Sequence, residues 1–202
     1  MSPKGRPRAF DCDDVLRRAM RIFWEKGYEG TSMADLTTAM GIGAPSLYAA
    51  FGNKAELFAA ALKVYETQIG TAIWESLEKA ATARQAFADF LKETALSYAQ
   101  PDQPRGCMIA LEGLFGDADA IPARDVLRER RLDNVRLLRE RLERGVADGD
   151  VARGVDCRKV ADFYATVQHG MSITARDGAS PDALLNTADA AMAAWETLTS
   201  PR

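Results

Sequence analysis

Side chains suited to metal binding, redox chemistry or catalysis are few in this sequence and lie far apart. The chain of 202 residues has one histidine, His169, and three cysteines, Cys12, Cys107 and Cys157. Imidazole and thiolate groups suit copper or zinc, and a thiol near a helix start is also open to oxidation. Cys107 and His169 are therefore candidates for a metal- or redox-responsive site. No ligand pair has metal-motif spacing and no glycine-rich phosphate loop is present, so we predict no metal, no cofactor and no enzymatic activity.

Residues 31–54 predict a different chemistry, because they read as two short helices joined by a tight turn. Ser32 and Asp35 have the spacing of a capping box at the start of the first helix. Gly41 suits the left-handed conformation that ends a helix. Pro45 fits the first turn of the second helix, where its missing N–H costs nothing.

The second of these helices has an outer face that is nearly uncharged. Leu47 and Phe51 lie four apart and are expected to face the core. A solvated helix face normally carries Lys, Glu or Arg, whereas a helix in the DNA major groove needs small residues and a few groups that touch bases and phosphates. The alternative is a plain helical hairpin packed in a core. The predicted DNA-reading residues are Ala44, Pro45, Ser46, Tyr48, Ala49 and Ala50.

Cations flank this helix on both sides, although the formal net charge of the chain is only -3. Residues 4–8 form a basic arm that reads as a minor-groove contact or as a solubilising tail. Lys54 follows a second capping motif and, with the helix N-terminus, can hold a DNA phosphate; the alternative is a solvated lysine. The predicted phosphate contacts are Lys4, Arg6, Arg8, Thr31, Ser32 and Lys54.

This segment resembles the DNA-binding domain of TetR-type (TetR/AcrR) transcriptional regulators. The resemblance covers about residues 10–60. It implies a homodimeric repressor whose C-terminal domain binds a small-molecule inducer. Gly43 stands where the family often has a capping serine, and Ala50 where it often has a phosphate-contacting histidine. The matching positions are Ala19, Phe23, Gly27-Tyr28, Thr31-Ser32-Met33, Asp35-Leu36, Gly41-Ile42, Ser46-Leu47-Tyr48, Phe51-Gly52, Lys54 and Leu57-Phe58.

The whole chain reads as all-α, with about nine helices. Residues 1–53 are predicted to form a three-helix DNA-binding domain with a helix-turn-helix, and residues 54–202 a larger bundle for ligand binding and dimerisation. One helix runs from Asn53 toward Ala80 without a linker, and another spans Met108–Phe115. A long helix opens at Pro122, with Leu132 expected inside. Acids interleave with Arg128–Arg131, so we expect a solvated face there and not a nucleic-acid patch.

Two further sets of residues are predicted in the bundle. A pocket between helices is the expected inducer site, although each candidate also suits a plain core: Trp74, Tyr98, Cys107, Met108, Leu111, Phe115 and His169. In the family the last two long helices pair with their copies across a two-fold axis. Packing within one chain is the alternative for these interface candidates: Phe163, Val167, Leu184, Ala188, Ala191, Met192 and Trp195.

The expected partners are double-stranded operator DNA, a small inducer and a second copy of the chain. The N-terminus lacks a secretory signal, no apolar run is long enough to span a membrane, and the odd cysteine count indicates a reducing compartment. We therefore expect a cytoplasmic protein without a membrane partner. A helical protein-interaction module that has lost DNA binding is the remaining alternative.

Overall fold

The computed structural model describes residues 11–113 and 120–201, and within these residues the regular structure is entirely helical. The all-α prediction is confirmed. Among the described residues, no helix is long and apolar enough to cross a membrane. The helices are α1 (Cys12–Gly30), α2 (Met33–Met40), α3 (Ala44–Phe51), α4 (Lys54–Tyr65), a π-helical segment (Glu66–Gly70), α5 (Thr71–Lys79), α6 (Ala83–Tyr98), α7 (Met108–Leu111), α8 (Ile121–Asp148), α9 (Cys157–Arg176), α10 (Pro181–Ala193) and α11 (Trp195–Leu198).

The predicted turn chemistry between α2 and α3 is confirmed. The Asp35 N–H donates to the Ser32 hydroxyl oxygen, and the Ser32 N–H donates to the Asp35 carboxylate, which completes the capping box. Gly41 has φ 69°, the left-handed conformation that ends α2. Leu36 and Leu47 are fully buried beneath the turn. Local signals therefore fix how α3 leaves α2.

The helix that follows α3 is continuous in backbone but changes its hydrogen bonding partway. Asn53 and Glu56 form the predicted capping box at its start. A π-helical segment, Glu66–Gly70, then joins α4 to α5 with right-handed helical backbone on both sides. The Thr71 hydroxyl donates to the Thr67 carbonyl across this segment. Such segments disrupt the regular helix and are frequent at functional sites.

The first three helices are tied to the rest of the chain by specific hydrogen bonds. Trp24 Nε1 in α1 donates to the Gly106 carbonyl at 3.1 Å. The Arg176 guanidinium at the end of α9 donates to the Trp24 and Glu25 carbonyls at 2.9 and 3.3 Å. These bonds join the start of the chain to residues more than 80 positions away, so the DNA-binding end and the bundle share one buried core.

Three details differ from the prediction. The described residues form eleven α-helices and one π-helical segment instead of about nine helices, because the predicted 53–80 helix is divided and α11 separates from α10. The helix predicted over residues 108–115 ends at Leu111, and its last two residues lie outside the described part. Leu132 is 56% exposed on α8, so its predicted place inside is wrong.

Candidate nucleic-acid interface and effector cavity

The outer face of α3 is exposed and carries no charged side chain. Ala44, Pro45, Ser46 and Ala49 are exposed, Ala50 is half-buried, and Tyr48 is 51% exposed. Leu47 is buried on the opposite side and fixes the orientation of the helix. Gly43 supplies no side chain to cap the N-terminus of α3, so among the described residues its first N–H groups have no side-chain acceptor. This face can therefore approach a polyanion closely.

Lys54 lies at the first turn of α4, beside the end of α3. Its Nζ is 4.4 Å from the centre of the Tyr28 ring, a cation–π contact that orients the side chain. Burial lowers the pKa of Lys54, and the nearby Glu29 carboxylate opposes that shift. The ammonium group is half-buried and held in place next to the uncharged face.

Two predicted phosphate contacts have other roles in the structure. Thr31 is fully buried, and its hydroxyl donates to the Gly27 carbonyl at 2.6 Å, so that group cannot reach DNA. Ser32 is exposed, but its hydroxyl is engaged with Asp35, which also pairs with Lys26 at 2.6 Å. The prediction is therefore wrong for the Thr31 side chain. The arm residues Lys4, Arg6 and Arg8 lie outside the described residues.

A cavity of about 350 Å³ lies between the π-helical segment, α6, α8 and α9. Three predicted residues, Trp74, Tyr98 and Cys107, line this main cavity. Met108 is fully buried, Leu111 and His169 are half-buried, and none of these three is in the lining. Phe115 lies outside the described residues. The other lining residues are Tyr65, Glu66, Gly70, Ile73, Ile109, Arg130, Asp133, Asn134, Arg136, Leu137 and Gln168.

The main cavity has a polar inner cluster and a charged rim. The Tyr65 and Tyr98 phenols lie within hydrogen-bonding reach of the Cys107 side chain, and burial raises both phenol pKa values well above the ordinary value. On the rim, Arg130 Nε lies 2.6 Å from Glu66 Oε1. That ion pair links α8 to the π-helical segment. A ligand in this cavity would touch both the phenols and the segment that leads to α4.

Sequence reasoning missed the part that α8 plays in this cavity. Arg130 is half-buried in the ion pair with Glu66. Arg131 donates to the Ile109 and Glu112 carbonyls at 2.8 and 3.0 Å. The prediction of a solvated face is wrong for Arg131, because its guanidinium holds the backbone at the end of α7. Alternating charge in the sequence gave no sign of these distant carbonyl partners.

The interface candidates divide into two groups. Phe163, Val167 and Met192 are half-buried and partly face solvent. Four others are buried inside their own protomer, which leaves them little surface for contact with a second copy: Leu184, Ala188, Ala191 and Trp195. Trp195, for example, packs 5.4 Å from the Phe87 ring centre. The strongest apolar stripe of α10 faces its own core, and the sequence pattern alone did not distinguish the two faces.

Metal ligation through Cys107 and His169 has no support in the geometry. Cys107 lines the main cavity, whereas His169 is half-buried elsewhere, with its pKa lowered by burial and by Arg131. Within residues 11–113 and 120–201, no three His, Cys, Asp or Glu side chains are grouped to hold a metal ion.

A helix-turn-helix joined to a larger helical bundle is the architecture of a DNA-binding transcriptional regulator. The model of bacterial regulatory proteins of the tetR family matches residues 15–61. The chain is 35% identical to the HTH-type transcriptional repressor ComR of Escherichia coli (strain K12) over 198 residues, covering 96% of this chain and 93% of that protein. It is 33% identical to the repressor BdcR of the same strain over 195 residues, with the same coverage.

Solved structures agree with this assignment. Cysteine mutants of the TetR family transcriptional regulator CifR, complexed with a 26-bp double-strand operator DNA, share 46% identity with the chain. The TM-score is 0.92, over 94% of this chain and 100% of the CifR chain in one such complex. The protein belongs to the TetR family and is a DNA-binding transcriptional regulator.

Proposed function

We propose that the protein is a homodimeric repressor that binds operator DNA through α3 and leaves it when a small molecule occupies the main cavity. The observation that carries this proposal is the exposed, uncharged α3 face bordered by Lys54. The ion pair between Glu66 and Arg130 connects the same continuous helix to the cavity.

In the DNA complex, α3 lies in the major groove. Ser46 and Tyr48 contact phosphates or base edges, while Ala44, Pro45 and Ala49 pack against sugars or thymine methyls. Ala50 contributes no polar group. Lys54, the first N–H groups of α3 and the arm residues Lys4, Arg6 and Arg8 bind phosphates. Ser32 contributes only its backbone position, because its hydroxyl caps α2.

The dimer forms through the outer faces of α9 and α10. On α9 the partly or fully exposed residues include Phe163, Thr166, Val167, Gly170 and Ile173, the last of which is 52% exposed. Three exposed positions of α10 are alanines, which allow close helix approach: Ala183, Ala190 and Ala193. Two reading helices are then available for successive major grooves, one helical turn of DNA apart.

The inducer acts by favouring one arrangement of the π-helical segment. Tyr65, Glu66 and Gly70 line the cavity, and the same helix begins at Lys54 beside α3. In the other arrangement the spacing between the two α3 helices of the dimer does not match successive major grooves. A ligand that binds this arrangement more tightly lowers the affinity for DNA, at most by the ratio of its affinities for the two arrangements.

Sequencing the DNA that is recovered with the protein from cells tests this proposal. We expect enrichment of a short, approximately palindromic site, and tight, salt-dependent binding of that site in fluorescence anisotropy. A helical interaction module without DNA binding predicts no enriched site and no binding above the level of a scrambled duplex.

A second candidate trigger is chemical modification of Cys107, because this thiol lies in the main cavity beside two phenols. Peroxide would oxidise the thiol to a sulfenic acid with release of water, adding a polar group to a closely packed site. The control variants are C12S and C157S, since both of those cysteines are only half-buried elsewhere in the chain.

The thiol trigger is tested by adding hydrogen peroxide to the protein–DNA complex. It predicts release from DNA in the wild type, C12S and C157S, and none in C107S. Equal release of DNA by C107S and the wild type would exclude Cys107 oxidation as the trigger, and the non-covalent inducer would remain the proposed one.

A further inference from the structure

A second, smaller cavity of about 120 Å³ lies between α5 and α8. Both cavities are lined by Trp74 and Leu137. The remaining residues of the smaller one are Leu77, Glu78, Glu140, Arg141 and Arg144. Since one molecule of liquid water occupies about 30 Å³, this volume corresponds to about four water molecules. It can therefore hold a small organic group.

Arg141 gives this cavity its chemistry, because its guanidinium is buried and incompletely bonded. The residue is only 4% exposed. Its Nε donates to the Leu77 carbonyl at 3.1 Å and its Nη2 to the Ala80 carbonyl at 3.2 Å, at the C-terminal end of α5. The third nitrogen, Nη1, is buried and has no hydrogen-bond partner in the described part of the chain. Buried polar atoms without a partner are rare, so Nη1 is a candidate contact for a ligand that enters this cavity.

The ionisable residues that line this cavity are two arginines, Arg141 and Arg144, and two glutamates, Glu78 and Glu140. Arg144 lies beside Arg141 and donates to the Glu78 carbonyl at 3.3 Å. Neither arginine forms an ion pair within the described residues, whereas Glu140 is paired with Arg136 at 3.5 Å. Burial lowers the pKa of Arg141, and Arg144 adds to that shift; Asp150 and Asp148 oppose it. The buried guanidinium thus carries a charge that no contacting carboxylate balances.

We propose that this cavity binds the carboxylate of a small organic acid. One carboxylate oxygen accepts from Arg141 Nη1, and the short aliphatic part lies against Trp74, Leu77 and Leu137. A charge-assisted hydrogen bond to a buried guanidinium is about twice as strong as a neutral one, which makes the carboxylate preferable to an amide. This site is separate from the main cavity and does not depend on which molecule releases DNA.

The test measures binding of butanoate to the full-length protein by isothermal titration calorimetry. Butanamide serves as the uncharged counterpart, and inorganic phosphate as an anion without an apolar part. We expect a dissociation constant for butanoate of about a millimolar, as for other ligands of this size, and binding of butanamide and phosphate that is at least about tenfold weaker.

Three variants identify the site. R141M is expected to weaken butanoate binding at least about tenfold. E140Q removes a lining carboxylate and is expected to strengthen it about two- to fivefold. R139M is the matched control, because Arg139 lies on the same helix but pairs with Glu143 outside this cavity. Its affinity should equal that of the wild type.

The results of these titrations either support or overturn the proposed carboxylate site. If R141M fails to fold, as judged by circular dichroism, the gain in E140Q and the preference for butanoate over butanamide decide the question. Equal binding of butanoate and butanamide, or equal affinities in the wild type, E140Q and R139M, would overturn the proposal. Phosphate binding as tight as butanoate binding would overturn the organic acid as occupant and leave a bare anion site.

Discussion

Two surfaces of this protein look alike in composition but differ in their surroundings. The α3 face and the outer face of α9 are both exposed, both rich in small or apolar residues and both uncharged at their centres. The α3 face is short and bordered by the oriented ammonium of Lys54. The α9 face is long, continues onto alanine-rich α10 and is bordered by the exposed pair Arg158–Asp162 at 3.9 Å.

This difference is the reason for proposing that the α3 face meets DNA and that the α9 face meets a second copy of the chain. A duplex supplies phosphates, so a face that meets it needs nearby cations and helix N–H groups. An identical helix supplies apolar side chains, so a face that meets it needs length and small residues instead. Composition alone does not distinguish the two cases; the neighbouring charges do.

The largest predicted effect comes from a long charged side chain in the middle of the α9 face. A Cβ at Gly170 would meet nothing within 4 Å in the protomer, so G170R leaves the fold intact. It would block the close approach of two copies. We expect monomers in sedimentation velocity and operator affinity reduced at least about 100-fold, because the second half-site no longer binds as part of the same assembly. The control A147R, at the exposed end of α8, should remain dimeric.

The next prediction concerns the α3 face itself. Tyr48 is the largest exposed side chain of α3. Its replacement in Y48A should reduce operator affinity by about 1–3 kcal/mol, the usual value of one specific contact, with no change in dimerisation or melting temperature. Wild-type affinity of Y48A in fluorescence anisotropy would exclude this side chain from the contact set.

A smaller and sequence-independent effect is predicted at the border of the same face. K54A removes one phosphate-binding cation, so the slope of log affinity against log salt should fall by about one unit for operator and random DNA alike. Loss of the Tyr28 contact should cost well under about 1 kcal/mol of folding stability, since the side chain is only half-buried. An unchanged salt slope would mean that Lys54 does not touch DNA.

The smallest predicted effect is a pH dependence of folding stability that comes from His169 on α9. Burial, together with Arg131, lowers the pKa of His169 in the folded protein. The unfolded chain therefore binds more protons, and the free energy of unfolding should decrease as the pH falls through the ordinary histidine value of about 6.5. Urea titrations of wild type and H169Q at pH 7.5 and 5.5 measure the free energy of unfolding, and the decrease that His169 contributes should be absent in H169Q.

Glu112 must be separated from His169 in that experiment. Burial raises the pKa of Glu112, so its contribution has the opposite sign: the free energy of unfolding increases as the pH falls through the raised value. The comparison of H169Q with E112Q isolates each group. An equal pH dependence in wild type and H169Q would show that His169 is solvated in the folded state.

What could be predicted from the sequence was mostly local. The confirmed predictions depend on residues at most four positions apart. They are the capping boxes at Ser32 and Asn53, the left-handed conformation of Gly41 and the burial of Leu47. The main cavity brings Tyr65 together with Cys107, Arg130 and Gln168, which are 42 to 103 positions away. Such distant pairing leaves no periodic signal, and for this reason the sequence predicts a solvated face at Arg130 and Arg131.

The burial of four interface candidates within the protomer was not predicted, for a related reason. Helical periodicity identifies Leu184, Ala188 and Ala191 of α10 and Trp195 of α11 as one stripe, and all four are buried. This stripe faces the aromatic core around Phe87, whereas the outer face consists of alanines and polar residues that carry little periodic signal. The proposed dimer would cover the outer face of α10, and the bulkier stripe packs inside the protomer.

The central claim is that the uncharged face of α3 enters the DNA groove, and operator binding by A49E tests it most directly. Ala49 is exposed, so a glutamate there keeps the fold but places a negative charge against the phosphates. A72E, at an exposed position of α5 far along the chain, is the matched control. The account predicts that fluorescence anisotropy shows at least about a 100-fold loss of operator affinity for A49E and none for A72E. Equal affinities for A49E and the wild type would contradict it.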